Sequence, residues 1–274
     1  MEYGERNALK DVDTLLKKLT SYNKIFIFLD FDGTLVGLRK YPENVRLSKR
    51  ASYALKKIFK NLKIITGIVS GRKIKELEFF LGNDLSQNFN LFGCHGSEIK
   101  FKNTRVKIAS EALRSIKSIK LIQDIIEKKF INISSLIFEK KEKSFAVNYG
   151  NAKYSEKKQI EEMKNLFQGF EKKYPVKLLE LKKVFEIVPD GITKGLAIKT
   201  TIKRYRKMLK ENNYIFLCIG DDITDENLFM ENKEGINIKV GCSKNTHTNA
   251  HYFLKNINEV LILLKKISYI DLYH

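Results

Sequence analysis

Five apolar residues, Ile25-Phe26-Ile27-Phe28-Leu29, run without a break into Asp30-Phe31-Asp32-Gly33-Thr34. A strand that is apolar on both faces belongs inside a parallel sheet covered on both sides. Ligands of such sheets bind beyond the carboxyl ends of the strands, and that is where this chain carries two acids. The pattern recurs. A second strand, 62–69, ends in Ser70-Gly71-Arg72, Asn90-Leu91-Phe92 reads as a third, and 214–219 ends in Gly220-Asp221-Asp222-Ile223-Thr224-Asp225-Glu226, with a further strand at 236–240. Helical spacing joins them. Leu9, Val12, Leu15, Leu16 and Leu19 form a first helix, Ser48 caps one carrying Ala51, Leu55, Ile58 and Phe59, and Ile74, Leu77 and Leu81 form another that stops at Gly82. Thr193-Lys194-Gly195 opens a helix, and Asn258 is the expected cap of a closing helix through Leu264. Alternating strands and helices specify an α/β fold, a doubly wound, Rossmann-like parallel sheet.

The alternation breaks in the middle. A helix at about 112–130 precedes strand-like runs at 135–138 and 143–149, and a helix at about 155–174 precedes runs at 176–181 and 184–188. This α-β-β-α-β-β block is an inserted α+β domain with its own antiparallel sheet. The expected division is a core of residues 1–105 and 189–274 and an insertion of 106–188.

A chain of 274 residues has room for two such domains. Its 43% hydrophobic content excludes disorder, and apolar runs no longer than six residues exclude a spanning helix, which needs about 20. The N-terminus has no apolar h-region, so no signal peptide is expected. Cys94, Cys218 and Cys242 form no C-x-x-C pair, which argues against structural zinc and for a cytoplasmic protein. The formal charge of +19 comes mostly from lysine, interspersed with glutamate. Nucleic-acid binding is not expected, because charge is neither clustered nor arginine-rich. The inserted block is the more basic part, net +8 over 106–185, which suits an anionic ligand.

Asp30 and Asp32, two residues apart after a buried strand, can divide labour as nucleophile and general acid/base. Asp221, Asp222, Asp225 and Glu226 crowd another strand end, where like charges repel unless a cation neutralises them. An all-oxygen donor set points to Mg²⁺. Asp225 and Glu226 are equally readable as acids of a helix N-terminus. Ser70 and Lys194 lie where helices begin, and so offer a hydroxyl and an ammonium beside backbone N–H groups that suit a phosphate. Arg72 either reaches substrate or pairs with an acid of the cluster. His95 is a substrate contact, a loop-fixing residue or simply a satisfied hydrogen-bond donor in a turn. Glu186, between Phe185 and Ile187, faces opposite to them, either as a substrate contact or on a solvated strand face. His247 and His251 read as surface residues.

Asp-x-Asp, Ser, Lys and Gly-Asp-Asp at successive strand ends resemble the haloacid dehalogenase superfamily of phosphotransferases, over essentially the whole chain. The resemblance implies Asp30 as nucleophile, Asp32 as acid/base, Ser70 and Lys194 as phosphate holders and Asp221 as a Mg²⁺ ligand, with a metal set of Asp30, Asp32, Asp221 and Asp222. The insertion between the Ser and Lys motifs resembles the superfamily's type 2 cap. Leu29-Asp30-Phe31-Asp32-Gly33-Thr34-Leu35, Val69-Ser70-Gly71-Arg72, His95-Gly96-Ser97-Glu98, Phe185-Glu186-Ile187-Val188-Pro189 and Gly220-Asp221-Asp222-Ile223-Thr224-Asp225-Glu226 are similar to trehalose-6-phosphate phosphatases. That similarity implies substrate contacts from Gly33, Thr34, Gly71, Arg72, His95 and Glu186, and a Mg²⁺-dependent sugar-phosphate phosphatase functionally partnered with trehalose-6-phosphate synthase. The second cap strand reads Val147-Asn148-Tyr149-Gly150, where the family often has a His-Tyr-Arg-like string. Sucrose 6-phosphate and mannosyl-3-phosphoglycerate therefore stand as alternative substrates. A basic binding module on an inactive fold is the alternative of a different class.

Overall fold

The computed structural model describes residues 6–38, 45–211, 213–241 and 247–270. It divides into two compact units, 1–107 with 193–274, and 108–192.

In the first unit the strands are β1 (Arg6–Asn7), β2 (Lys24–Leu29), β3 (Ile64–Val69), β4 (Asn90–Gly93), β5 (Glu98–Lys100) and β6 (Lys107–Ile108, at the seam). The helices are α1 (Val12–Thr20), α2 (Lys49–Lys60) and α3 (Ile74–Asn88). The second unit runs α4 (Ser110–Phe130), β7 (Ile137–Lys140), β8 (Phe145–Asn148), α5 (Lys157–Lys173), β9 (Val176–Leu181) and β10 (Val184–Pro189). The first unit then resumes with α6 (Leu196–Arg204), α7 (Arg206–Glu211), β11 (Tyr214–Gly220), α8 (Glu226–Glu231), β12 (Ile236–Val240), β13 (Tyr252–Leu254) and α9 (Ile257–Ile267).

The large sheet has the order β1-β13-β12-β11-β2-β3-β4-β5-β6. Its pairings from β1 through β4 are all parallel, and β5 returns antiparallel to β4. Strand β2 is central because it can be buried on both faces. Ile25, Ile27 and Leu29 join the core with α1, α2, α3 and α9, while Phe26 and Phe28 join the opposite core with Ala197, Phe216, Leu228 and Phe229. The chain leaves β2 towards β3 and leaves β11 towards β12. The order thus reverses between β2 and β11, the position at which doubly wound sheets bind ligands.

The second unit is an antiparallel sheet of order β7-β8-β10-β9. One face packs on α4 and α5 through residues including Ile122, Ile126, Phe145, Phe167, Phe185 and Ile187. The α-β-β-α-β-β order read from the sequence is the order observed. The seams fall slightly later than expected. Residues 189–192 stay with the second unit, where Asp190 N–H donates to Pro175 O at 3.1 Å and Ile192 N–H to Pro189 O at 3.2 Å.

Ser48 caps α2 as expected, its hydroxyl accepting from Ala51 N–H at 3.1 Å. The first helical stretch of α3 stops at Gly82 as expected, where φ is 74°, and a second stretch follows to Asn88. The short strands β1, β5, β6 and β13 carry too few residues to show a period. His251 is half-buried, with Nδ1 accepting from Asn237 N–H at 3.0 Å, so it is not a surface residue, whereas His247 is exposed. Cys94 and Cys218 are buried, and Cys242 lies outside the described residues. Among the described residues no helix is long and apolar enough to cross a membrane.

The cap of α9 is Asn256, whose side chain accepts from Glu259 N–H at 3.2 Å; the expected cap, Asn258, lies inside the helix. Asn256→Ala should therefore cost about 1 kcal/mol in denaturant unfolding. Asn258→Ala should stay within about 0.5 kcal/mol, and equal costs would contradict this cap.

Candidate active site

Strands β2 and β11 pair in parallel, with Leu29 opposite Ile219, so the acids that follow them emerge side by side. Asp30 N–H donates to Ile219 O at 2.9 Å and extends the ladder by one residue. Beyond it the chain closes a tight loop, with Gly33 N–H on Val36 O at 2.7 Å and Leu35 N–H on Phe31 O at 2.9 Å.

The centre of the site is a buried ion cluster. Lys194 Nζ lies 2.6 Å from Asp30 Oδ1 and 2.7 Å from Asp225 Oδ1, and the three side chains are at most 5% exposed. The second Asp225 oxygen, Oδ2, accepts from the N–H groups of Asp221 at 3.1 Å and Asp222 at 3.0 Å. Asp30, Asp221 and Asp225 each direct an oxygen into a group whose members lie within 4.8 Å of one another. With one ammonium, that leaves a formal excess of two negative charges, opposite in sign and equal in size to the charge of a divalent cation. The donors are all hard oxygens, which fits Mg²⁺ or a similar ion.

The electrostatics follow from the packing. Burial pushes the Asp30 carboxyl well above the usual carboxylate range; Lys194 opposes this, while Asp225 and Asp221 add to it. Asp221 is pushed up to about 6, first by burial and then by Asp225, against the pull of Lys194. Burial alone would lower Lys194, but Asp225 and Asp30 outweigh it and hold the ammonium protonated.

The other expected residues take more varied positions. Asp32 does not join the acidic group. Its carboxylate forms a two-pronged pair with Arg72, Nε to Oδ2 at 2.6 Å and Nη2 to Oδ1 at 2.7 Å. The guanidinium also lies over the ring of Phe80, at 4.8 Å from its centroid. Asp222, expected in the metal set, is exposed, and its Oδ1 accepts from Ile223 N–H at 2.7 Å. The turn after Asp221 points it outward and brings Asp225 in instead. Thr34 is fully buried and its hydroxyl donates to Asp221 Oδ1 at 3.3 Å, which makes it a support for that carboxylate. Gly33 has φ 89°, and a side chain there would begin 2.0 Å from Asp221 Oδ2, so only glycine lets the two loops meet.

Ser70 is buried, its hydroxyl accepting from Arg72 N–H at 3.2 Å and its carbonyl from His95 N–H at 2.9 Å. The His95 ring packs against Gly71, where an added Cβ would lie 2.8 Å from Nε2. His95 therefore supports the Ser70-Gly71 loop. In the second unit Glu186 is 4% exposed rather than solvated, and its Oε1 accepts from Ser144 Oγ at 2.9 Å and Lys141 Nζ at 3.2 Å.

Asp225 is among the residues whose role the sequence left open. Its spacing from Asp221 carries a usable signal, because one helical turn brings a carboxylate four residues on back over the N–H groups that precede it.

The trehalose-phosphatase family profile matches residues 28–258. The chain belongs to the trehalose-phosphatase family. Among its relatives, the trehalose-6-phosphate phosphatase of Escherichia coli is 26% identical, the match covering 88% of this chain and 85% of that one. The trehalose-phosphatase of Schizosaccharomyces pombe is 28% identical over 84% of this chain, and alpha,alpha-trehalose-phosphate synthase (UDP-forming) B of Dictyostelium discoideum is 28% identical over 90% of it. The chain spans only 26% and 31% of those two proteins. The fold is shared with the C-terminal domain of the Candida albicans trehalose-6-phosphate phosphatase, at a TM-score of 0.81 and 23% identity over 93% of this chain and 96% of that one.

The raised Asp221 carboxyl has a consequence for stability. A carboxyl whose folded pKa lies above its unfolded value favours the fold fully below the unfolded value, and that contribution is lost as pH rises through about 6. In chelator at pH 7.5, Asp221→Asn should therefore melt at a higher temperature than the unsubstituted protein. The advantage should fade towards pH 4 as Asp221 takes up its proton. A difference independent of pH over that range would show that Asp221 is not repelled in the cluster.

Proposed function

We propose that the protein hydrolyses trehalose 6-phosphate to trehalose and phosphate through an aspartyl-phosphate on Asp30, with Mg²⁺ as cofactor. The observation that carries this reading is the buried Asp30–Lys194 pair beside Asp221 at the switch point of the sheet. The trehalose-phosphatase profile supports the substrate.

Asp30 attacks phosphorus, forming one O–P bond as the bond to the sugar oxygen breaks, and Asp32 gives its proton to that oxygen. In the second step Asp32 takes a proton from water, and the water oxygen attacks the acyl phosphate, releasing phosphate and restoring Asp30. Lys194 holds Asp30 and offsets its charge against the incoming phosphoryl group. Ser70, at the end of β3, is the proposed phosphate-holding hydroxyl. Asp30, Asp221 and Asp225 would hold Mg²⁺, which supplies Lewis-acid polarisation of the phosphoryl oxygens when bound.

Asp32 is paired with Arg72 through both carboxylate oxygens. The first step requires the pair to part and Asp32 to be protonated. Glu186 of the second unit, with Lys141 and Ser144, is the proposed sugar-recognition group. The Dictyostelium relative named as a synthase contains a matching region, which supports a functional link to trehalose-6-phosphate synthase.

Phosphate release from a panel of trehalose 6-phosphate, glucose 6-phosphate, sucrose 6-phosphate and mannosyl-3-phosphoglycerate should favour the first by about tenfold or more in kcat/KM, worth about 1.4 kcal/mol. Chelation should abolish it. Equal rates across the panel would remove the substrate, and turnover surviving exhaustive chelation would remove the metal.

The two aspartates separate by leaving group. Asp30→Asn should lose all turnover. Asp32→Asn should lose about 10²–10⁴-fold on the sugar phosphate but retain a burst of p-nitrophenol from p-nitrophenyl phosphate, whose leaving group needs little protonation. A burst in the Asp30 variant, or equal losses on both substrates in the Asp32 variant, would overturn these roles.

A further inference from the structure

Glu226, whose role the sequence left open, does not join the group formed by Asp30, Asp221 and Asp225 and is paired instead with Lys239. Glu226 is the first residue of α8, and its carboxylate accepts from the Thr248 hydroxyl at 2.7 Å, from Asn249 N–H at 2.8 Å and Nδ2 at 3.2 Å, and from Lys239 Nζ at 3.3 Å. Lys239 lies on β12, in register with Gly220 on β11. Its ammonium also donates to the backbone carbonyl of Asp222 at 2.9 Å. Both side chains are 16% exposed.

The loop that presents Asp221 is thus gripped from two sides. On the N–H side, Asp225 accepts from Asp221 and Asp222. On the C=O side, Lys239 holds Asp222, with Glu226 fixing the ammonium and balancing its charge. Two of the three ammonium donors of Lys239 are thus occupied, one by a carbonyl and one by a carboxylate.

We infer that Lys239, oriented by Glu226, is a positioning residue that sets the backbone of Asp221–Asp222 for divalent-cation binding. The inference rests on the proposed metal site. It gives Glu226 a role distinct from that of a helix-terminal acid. A simpler role, anchoring residues 247–250 to α8, uses the same carboxylate but not the Lys239–Asp222 contact, and this difference makes the two separable.

The test is the thermal midpoint of the full, chelator-stripped chain titrated with Mg²⁺. Lys239→Met and Glu226→Gln should each raise the Mg²⁺ concentration for half the maximal shift by about tenfold, the lower end of the range for residues that orient metal ligands. Lys239→Arg should recover most of that loss. Thr248→Ala, which breaks only the loop anchor, should stay within about twofold. At saturating Mg²⁺ the Lys239→Met variant should regain kcat to within about threefold. Wild-type Mg²⁺ affinity in Lys239→Met, or a Thr248→Ala loss as large as that of Lys239→Met, would overturn the inference while leaving the metal site intact. Should Lys239→Met fail to fold, Glu226→Gln carries the same comparison. Absence of any Mg²⁺-dependent shift in the unsubstituted protein would overturn the metal site and this inference together.

Discussion

The ammonium of Lys194 lies 2.6 Å from Asp30 and 2.7 Å from Asp225, with all three groups buried. Removing one partner of such a pair strands a charge in the interior, typically at a cost of about 3–5 kcal/mol. The arrangement is therefore all or nothing. Asp30 can be kept out of water, where its carboxyl rises, only because a fixed cation stands beside it. Asp225 orients that cation and, with its other oxygen, holds the backbone of Asp221 and Asp222. One residue thereby couples the Lys194 turn before α6 to the acidic loop after β11.

The parallel sheet is what makes this coupling geometrically possible. Asp30 and Asp221 are 191 positions apart in the chain, yet the register of β2 on β11 delivers them to the same edge. Neighbouring parallel strands lie about 4.8 Å apart, so carboxylates that follow two adjacent strands can converge. Gly33 lets its loop pass against Asp221 with no side chain between them, and Thr34 then braces that carboxylate. The excess negative charge that results is unfavourable in isolation, and it suits the site to the divalent cation proposed for it.

Asp32 shows how a second carboxylate two residues away can have a different character. Its neighbour Asp30 points into the buried cluster, whereas Asp32 meets Arg72 across the gap between β2 and β3. The guanidinium is itself oriented by the ring of Phe80. Two acids of identical chemistry are thus kept apart by their partners, one beside an ammonium in a dry site and one in a planar pair near solvent. This is the separation that the proposed roles of nucleophile and acid/base require.

Much of this was legible in the residues themselves. The apolar runs at 25–29 and 214–219 identify the central strands, because burial on both faces leaves no alternative to hydrophobic side chains. The helix–strand order of 106–188 announces a separate antiparallel unit. Asp30 and Asp221 are visible as acids at the ends of those strands, and Lys194 as a cation where a helix begins. The partnerships were not legible. That Arg72 takes Asp32, that Asp225 rather than Asp222 turns inward, that Thr34 and Gly33 serve Asp221, and that Asn256 rather than Asn258 caps α9 depend on turn geometry and on contacts between distant segments. Periodicity reports which way a side chain faces within its own element. Which charged group it meets is decided by the register of strands and the path of loops, and these exist only once the sheet has formed.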